Sequence, residues 1–87
     1  MRLTAELSLY PLSENYENIV LAFIERLISE HPVSSVTNSM STQLTGESAA
    51  VFAAIAQALE HSYREFGKQV LVAKFIPEHF VDISPEG

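Results

Sequence analysis

Residues 37–43 form the stretch of this chain whose side chains are best suited to binding a small molecule. Six of these seven residues carry hydroxyl or amide side chains, the seventh is Met40, and none is charged. Hydroxyls and amides donate and accept hydrogen bonds without net charge, so they suit a small heteroaromatic ligand better than a phosphate or a metal ion. The alternative is a solvated edge hairpin, because Ser, Thr and Asn are also common turn residues.

Residues 2–10 place three more candidate side chains on one face of a strand. Apolar and polar residues alternate there, and a period of two is typical of a strand with one buried face. The polar face includes Glu6, Ser8 and Tyr10. Glu6 can pair with a ring nitrogen or offset a positive charge, and Tyr10 can stack on a ring or face a cation. The alternative role of Glu6 is an ion pair with Lys74. The alternative role of Tyr10 is simple packing at the end of the sheet.

Two amphipathic helices flank the polar run. The first apolar stripe predicts a helix from a cap at Ser13 to about Glu30, where His31 precedes a proline. The second predicts a helix that is capped by Ser48 and ends at Gly67. The stripe residues are Tyr16, Ile19, Val20, Phe23, Ile24, Leu27 and Ile28, then Val51, Phe52, Ile55, Leu59, Tyr63 and Phe66.

The remaining segments predict three more strands. Residues 33–46 fit two short strands with a bend near residues 38–41 and buried points at Val36 and Leu44, and a single long bent strand fits them nearly as well. Residues 70–76 form the last strand, which Pro77 ends. The order of strand, helix, strand, strand, helix, strand predicts a ferredoxin-like α+β fold in a single domain, residues 1–87. In that fold both helices pack on one face of a four-stranded antiparallel sheet.

The face of the predicted sheet away from the helices mixes polar and apolar side chains. The helices would cover Leu3, Ala5, Leu7, Leu9, Leu71, Ala73 and Phe75. The other face would carry Thr4, Glu6, Ser8, Tyr10, Val70, Val72, Lys74 and Ile76. Valine and isoleucine side chains left in water favour a covering partner. We therefore expect a homodimer or homotetramer formed by sheet stacking.

Composition narrows the classes of function. Five basic against eleven acidic residues give a net charge of −6, with no basic cluster for nucleic-acid phosphates. No apolar run approaches the length of about 20 residues that spans a bilayer, so we expect no membrane insertion and a cytoplasmic protein. Cysteine is absent, and the three histidines lack metal-ligand spacing. Neither a glycine-rich phosphate loop nor a nucleophile elbow occurs. We expect no enzyme, no catalytic residues, no metal and no cofactor.

Two segments carry a family resemblance. Residues 5–12 (AELSLYPL) and residues 37–44 (TNSMSTQL), followed by Gly46, are similar to the YkoF-like thiamine/hydroxymethylpyrimidine-binding family, and the similarity extends over nearly the whole chain. The resemblance implies non-catalytic binding of thiamine or its hydroxymethylpyrimidine half, in vitamin B1 transport, storage or salvage. Some members carry two such domains in tandem, so oligomerisation would supply the equivalent pair here.

The candidate ligand-binding residues combine this resemblance with the chemistry of the side chains. They are Glu6, Ser8, Tyr10, Asn38, Ser39, Met40, Ser41 and Thr42. Asn38 is the first choice because one amide offers both a donor and an acceptor, and Met40 offers a polarizable wall for a flat ring. The alternative function is a structural or regulatory oligomerisation module without a small-molecule ligand.

Overall fold

The predicted ferredoxin-like α+β fold is confirmed by the computed structural model, which describes residues 1–29, 31–37 and 41–78. The elements in chain order are β1 (Arg2–Pro11), α1 (Tyr16–Ser29), β2 (Ser34–Thr37), β3 (Thr42–Glu47), α2 (Ser48–Phe66) and β4 (Gln69–Pro77). The four strands pair antiparallel in the order β2-β3-β1-β4. β1 and β3 are therefore central, and β2 and β4 form the edges.

The hydrophobic core lies between the two helices and one face of the sheet. Alternate residues of β1 point into it, as the period of two predicts. Its buried members are Leu3, Ala5, Leu7, Phe23, Leu27, Leu44, Val51, Ala54, Ile55 and Ala58. Full burial of one large apolar side chain contributes about 1.5–3 kcal/mol. This core fixes the sheet, and the sheet in turn positions the polar residues on its other face.

The starts of the two helices differ from the predicted caps. The Ser13 hydroxyl accepts a hydrogen bond from the Asn15 N–H (3.3 Å) in the turn before α1. Ser48 is the first residue of α2 rather than its cap, because β3 runs directly into this helix. Glu47 holds the cap position without a side-chain cap hydrogen bond, and the Ser48 N–H donates to the Met1 carbonyl (2.8 Å).

The buried face of α2 is rotated relative to the predicted stripe. Its buried residues are Val51, Ala54, Ile55, Ala58 and Ser62. Phe52 and Tyr63, which the stripe included, are exposed. The small side chains allow α2 to approach the sheet closely, and this leaves the larger rings at its margin. The Phe52 ring stacks on Phe75 of β4 there, at 4.9 Å between ring centroids.

The end of α2 and the burial of Leu44 agree with the sequence, whereas the burial of Val36 does not. Gly67 has a φ of 85°, which favours glycine, and its N–H donates to the Tyr63 carbonyl (2.9 Å). Leu44 is fully buried. Val36 pairs with Gln43 and is only half-buried on the opposite face of the sheet, because neighbouring strand residues alternate between faces.

A side chain larger than hydrogen at Gly46 is expected to lower stability. A Cβ at this position would lie 3.1 Å from Val33 Cγ1 and 3.3 Å from the Pro32 carbonyl oxygen. We predict that Gly46→Ala lowers the free energy of unfolding by about 1–3 kcal/mol, the usual cost of overpacking. Urea unfolding, monitored by circular dichroism, measures this change in the free energy of unfolding. An unchanged midpoint would show that the segment before β2 moves aside without cost.

Candidate functional site

The sheet face away from the helices, here called the outer face, collects three of the five candidate side chains that lie in the described residues. Residues that stand directly opposite in adjacent strands share a face, so the strand register identifies its members. They are Arg2, Thr4, Glu6, Ser8 and Tyr10 of β1, Ser34 and Val36 of β2, Gln43, Thr45 and Glu47 of β3, and Val70, Val72, Lys74 and Ile76 of β4. The predicted alternation of β1 and β4 therefore places Glu6, Ser8 and Tyr10 on one surface.

Glu6 lies at the centre of the outer face. It stands opposite Gln43 on one side and Lys74 on the other. The Ser41 hydroxyl donates to Glu6 Oε2 (3.2 Å), and Lys74 Nζ lies 3.8 Å from Glu6 Oε1. Each carboxylate oxygen thus has a partner that orients it, while the side chain remains 42% exposed. The result is a positioned anionic acceptor that a ligand can reach.

Ser8 and Tyr10 extend this group along β1. Ser8 is half-buried opposite Val72, and Tyr10 is exposed opposite Val70. At about 3.3 Å per residue, Ser8 lies roughly 7 Å and Tyr10 roughly 13 Å from Glu6 along the strand. A ligand anchored at Glu6 can therefore reach Ser8 directly, whereas only its far end can meet the Tyr10 ring.

The structure places Thr42 apart from these residues. Thr42 stands opposite Leu7, so its side chain lies on the helix-covered face. It is buried there, and its hydroxyl lies 3.0 Å from the Thr37 hydroxyl, which satisfies a polar group that would be costly to bury alone. Asn38, Ser39 and Met40 lie outside the described residues.

Gln43 and Lys74, which sequence reasoning did not include among the candidates, flank Glu6 in the sheet. The alternation of β3 was the available signal for Gln43, because Thr42 and Gln43 must face opposite sides. One part of the outer face is closed. Thr4 and Thr45 stand opposite each other with hydroxyls 3.0 Å apart, and both are only 4% exposed.

A concave surface lies away from the outer face, at the C-terminal end of α2. This depression of about 480 Å³ is lined by Leu12, Leu59, Glu60, Tyr63, Lys68 and Gln69, none of which is a candidate residue. The Gln69 amide is already engaged, since it accepts from Ser62 (2.8 Å) and donates to the Gly67 carbonyl (3.0 Å). We favour the outer face because three candidate side chains of β1 share it and the Ser41 hydroxyl reaches Glu6 there.

Two further expectations concern metal binding and membrane insertion. Within residues 1–29, 31–37 and 41–78, no group of three or more His, Cys, Asp or Glu side chains could hold a metal ion. No helix in that part of the chain is long and apolar enough to cross a membrane.

Solved structures share this architecture at low sequence identity. A hypothetical protein of Methanocaldococcus jannascii has a TM-score of 0.79 and 22% identity, covering 98% of this chain and 89% of that one. A Thermotoga maritima protein, provisionally assigned to thiamine biosynthesis or salvage, has a TM-score of 0.75 and 16% identity over 86% and 82%. A domain of unknown function from Bacillus cereus has a TM-score of 0.76 and 19% identity over 95% and 84%. These likenesses show the fold.

The sequence comparison identifies the family. No curated protein matches this chain significantly. The YKOF-related family, in contrast, matches residues 2–75, a range that contains all six elements except the last residues of β4. The matched range includes both segments that carried the resemblance. It also includes Glu6 and the residues around it, Ser41, Gln43 and Lys74. The chain therefore belongs to the YKOF-related family.

Proposed function

We propose that this protein binds thiamine or its hydroxymethylpyrimidine half without converting it, in vitamin B1 transport, storage or salvage. Membership of the YKOF-related family supports a thiamine-related role, and so does the provisional assignment of the Thermotoga maritima neighbour to thiamine biosynthesis or salvage. The observation that carries the proposal is the Glu6 carboxylate, oriented by Ser41 and Lys74 yet still accessible on the outer face.

The chemistry of the ligand matches this group. An aminopyrimidine ring presents an amino donor beside ring-nitrogen acceptors, and the thiazolium ring of thiamine is a cation. Glu6 accepts from the amino group, and a hydrogen bond to a charged partner is stronger than one between neutral groups. The Gln43 amide and the Ser8 hydroxyl can donate to ring nitrogens. Tyr10, farther along β1, offers its face to the cationic ring.

Isothermal titration calorimetry with thiamine, hydroxymethylpyrimidine and thiamine diphosphate tests this function. We expect saturable binding of thiamine and weaker binding of the diphosphate. The two basic residues of the outer face are Arg2 and Lys74, and Lys74 already pairs with Glu6. The Glu6 carboxylate would repel the phosphates of thiamine diphosphate, and few basic side chains on this face would offset the repulsion. An unrelated heterocycle, nicotinamide, serves as the control. No heat and no thermal shift with any pyrimidine at millimolar concentration would contradict the proposal.

A structural or regulatory oligomerisation module is the second candidate. It is favoured by the apolar side chains that β4 exposes on the outer face, Val70, Val72 and Ile76, which are between 44% and 51% exposed. We call these three residues the β4 ridge. In this alternative the outer face would stack on another sheet to form a homodimer or homotetramer, and no pyrimidine would bind.

A further inference from the structure

The depression at the C-terminal end of α2 has the size of a ligand site but no part in the proposed function. Its volume of about 480 Å³ falls within the range of about 300–1,000 Å³ for small-molecule sites. Two of its lining residues are large apolar side chains that face water, Leu12 at 68% and Tyr63 at 58% exposure. A ligand that covers them removes apolar surface from water, which favours binding.

The depression forms where the chain turns from α2 into β4. Gly67 ends the helix, and its N–H donates to the Tyr63 carbonyl (2.9 Å). The segment after β1 is fastened to the same turn, because the Leu12 N–H donates to the Lys68 carbonyl (3.3 Å). These backbone hydrogen bonds hold the walls in place before a ligand arrives, which lowers the ordering cost of binding.

Two side chains of opposite charge line the depression, Glu60 on α2 and Lys68 in the turn that follows it. In the part of the chain that the structure describes, no acidic group pairs with the Lys68 ammonium. The Glu60 carboxylate lies 3.5 Å from Arg64 on the same helix, and an exposed pair of this kind contributes little. Both charges are therefore available to a ligand.

The half-buried Gln69 side chain adds a positioned hydrogen-bond donor to the lining. Its amide oxygen accepts from the Ser62 hydroxyl (2.8 Å), and its amide nitrogen donates to the Gly67 carbonyl (3.0 Å). These two bonds fix the direction of the amide. A primary amide carries two N–H groups, so the second remains for a ligand. Because Gln69 follows Lys68 in the chain, the amide and the ammonium together suit one carboxylate.

We propose that this depression binds a free α-amino acid with an apolar side chain. The carboxylate of the ligand binds Lys68 and the Gln69 amide, and its ammonium group binds Glu60. The side chain of the ligand packs on the apolar part of the lining, Leu12, Leu59 and Tyr63. The site lies apart from the outer face, so this inference stands or falls independently of thiamine binding.

The pairing of charges favours a ligand that carries both signs. A ligand with only a carboxylate is attracted by Lys68 but repelled by Glu60, and a ligand with only an amine meets the reverse. The negative end of the α2 dipole adds to the attraction for an ammonium group. An amino acid has a partner for each of its charges. An apolar side chain is favoured because the remaining lining is aliphatic and aromatic.

Isothermal titration calorimetry of the wild-type protein with phenylalanine and leucine tests this inference. Phenylpropionate and phenethylamine are the matched comparisons, because each keeps the ring of phenylalanine and lacks one of its two charges. We expect saturable binding of at least one amino acid, and about fivefold weaker binding of each analogue than of phenylalanine or leucine. An analogue that binds as tightly as the amino acids would overturn the inference. So would the absence of binding by both amino acids at millimolar concentration.

Two variants locate the amino acid in the depression. Lys68→Gln and Glu60→Gln each remove one charge from an exposed side chain, and we expect each to weaken amino-acid binding about fivefold. The control is Glu25→Gln, which removes an equally exposed charge from α1 and should bind as the wild type does. Circular dichroism checks that all three variants are folded, and Glu60→Gln carries the test if Lys68→Gln fails to fold. Wild-type affinity in either folded lining variant would overturn the inference.

Discussion

Replacing Leu27 by alanine is expected to lower the free energy of unfolding by about 2–5 kcal/mol, the range for a large-to-small change in a packed core. Leu27 is fully buried, between α1 and the sheet. Its removal forfeits apolar burial and leaves a cavity that its neighbours fill only in part. Small domains have a total stability of about 5–15 kcal/mol, so this one substitution removes a large share.

Leu21 provides the control for this prediction, because it is the same residue type on the same helix but 59% exposed. Leu21→Ala should change stability by no more than about 0.5 kcal/mol. Urea unfolding of both variants, with a common slope, gives the two free energies. Equal effects of the two substitutions would contradict the orientation of α1 and with it the position of the core.

The second large effect is expected for thiamine affinity in Glu6→Gln. Glutamine keeps the size of the side chain and one acceptor oxygen but removes the charge. A hydrogen bond to a charged group is worth about 1.5–3 kcal/mol, so we expect affinity to fall about tenfold to a hundredfold. Stability should change little, because the exposed ion pair with Lys74 contributes at most about 1 kcal/mol.

Glu47→Gln is the matched control for the Glu6 variant. Glu47 also lies on the outer face, but at the end of β3, where it pairs with the N-terminal amine (3.4 Å). The Glu47→Gln variant should bind thiamine with the affinity of the wild type. Calorimetry on the three proteins measures the difference. If both variants lose affinity equally, the effect comes from the general charge of the face, and Glu6 does not contact the ligand.

The proposed function and its alternative differ in what they require of the outer face. A binding protein requires the carboxylate of Glu6, whereas an oligomerisation module requires only the β4 ridge. Substitutions at Glu6 and in the β4 ridge therefore probe separate parts of one surface, one polar and one apolar.

The element order and the two faces of β1 could be predicted from the sequence, because both follow from local patterns. A period of two in residues 2–10 already separated Glu6 from the core position Leu7, and helical spacing identified Phe23 and Leu27 as core residues. The rotation of α2 could not be predicted in the same way. Its stripe of large residues and its alanines compete for the sheet, and the closer packing of small residues decides the result.

In the candidate site, too, local sequence patterns predicted some features and tertiary packing decided others. The sequence alone determined that residues 37–43 are rich in hydrogen-bonding groups and that Glu6, Ser8 and Tyr10 share a face. Only the tertiary structure decided that Thr42 faces the core while Gln43 stands beside Glu6, because that parity depends on the register between β1 and β3. The contact of Ser41 with Glu6 joins residues 35 positions apart. Such pairings arise from packing of the whole sheet, and no local pattern encodes them.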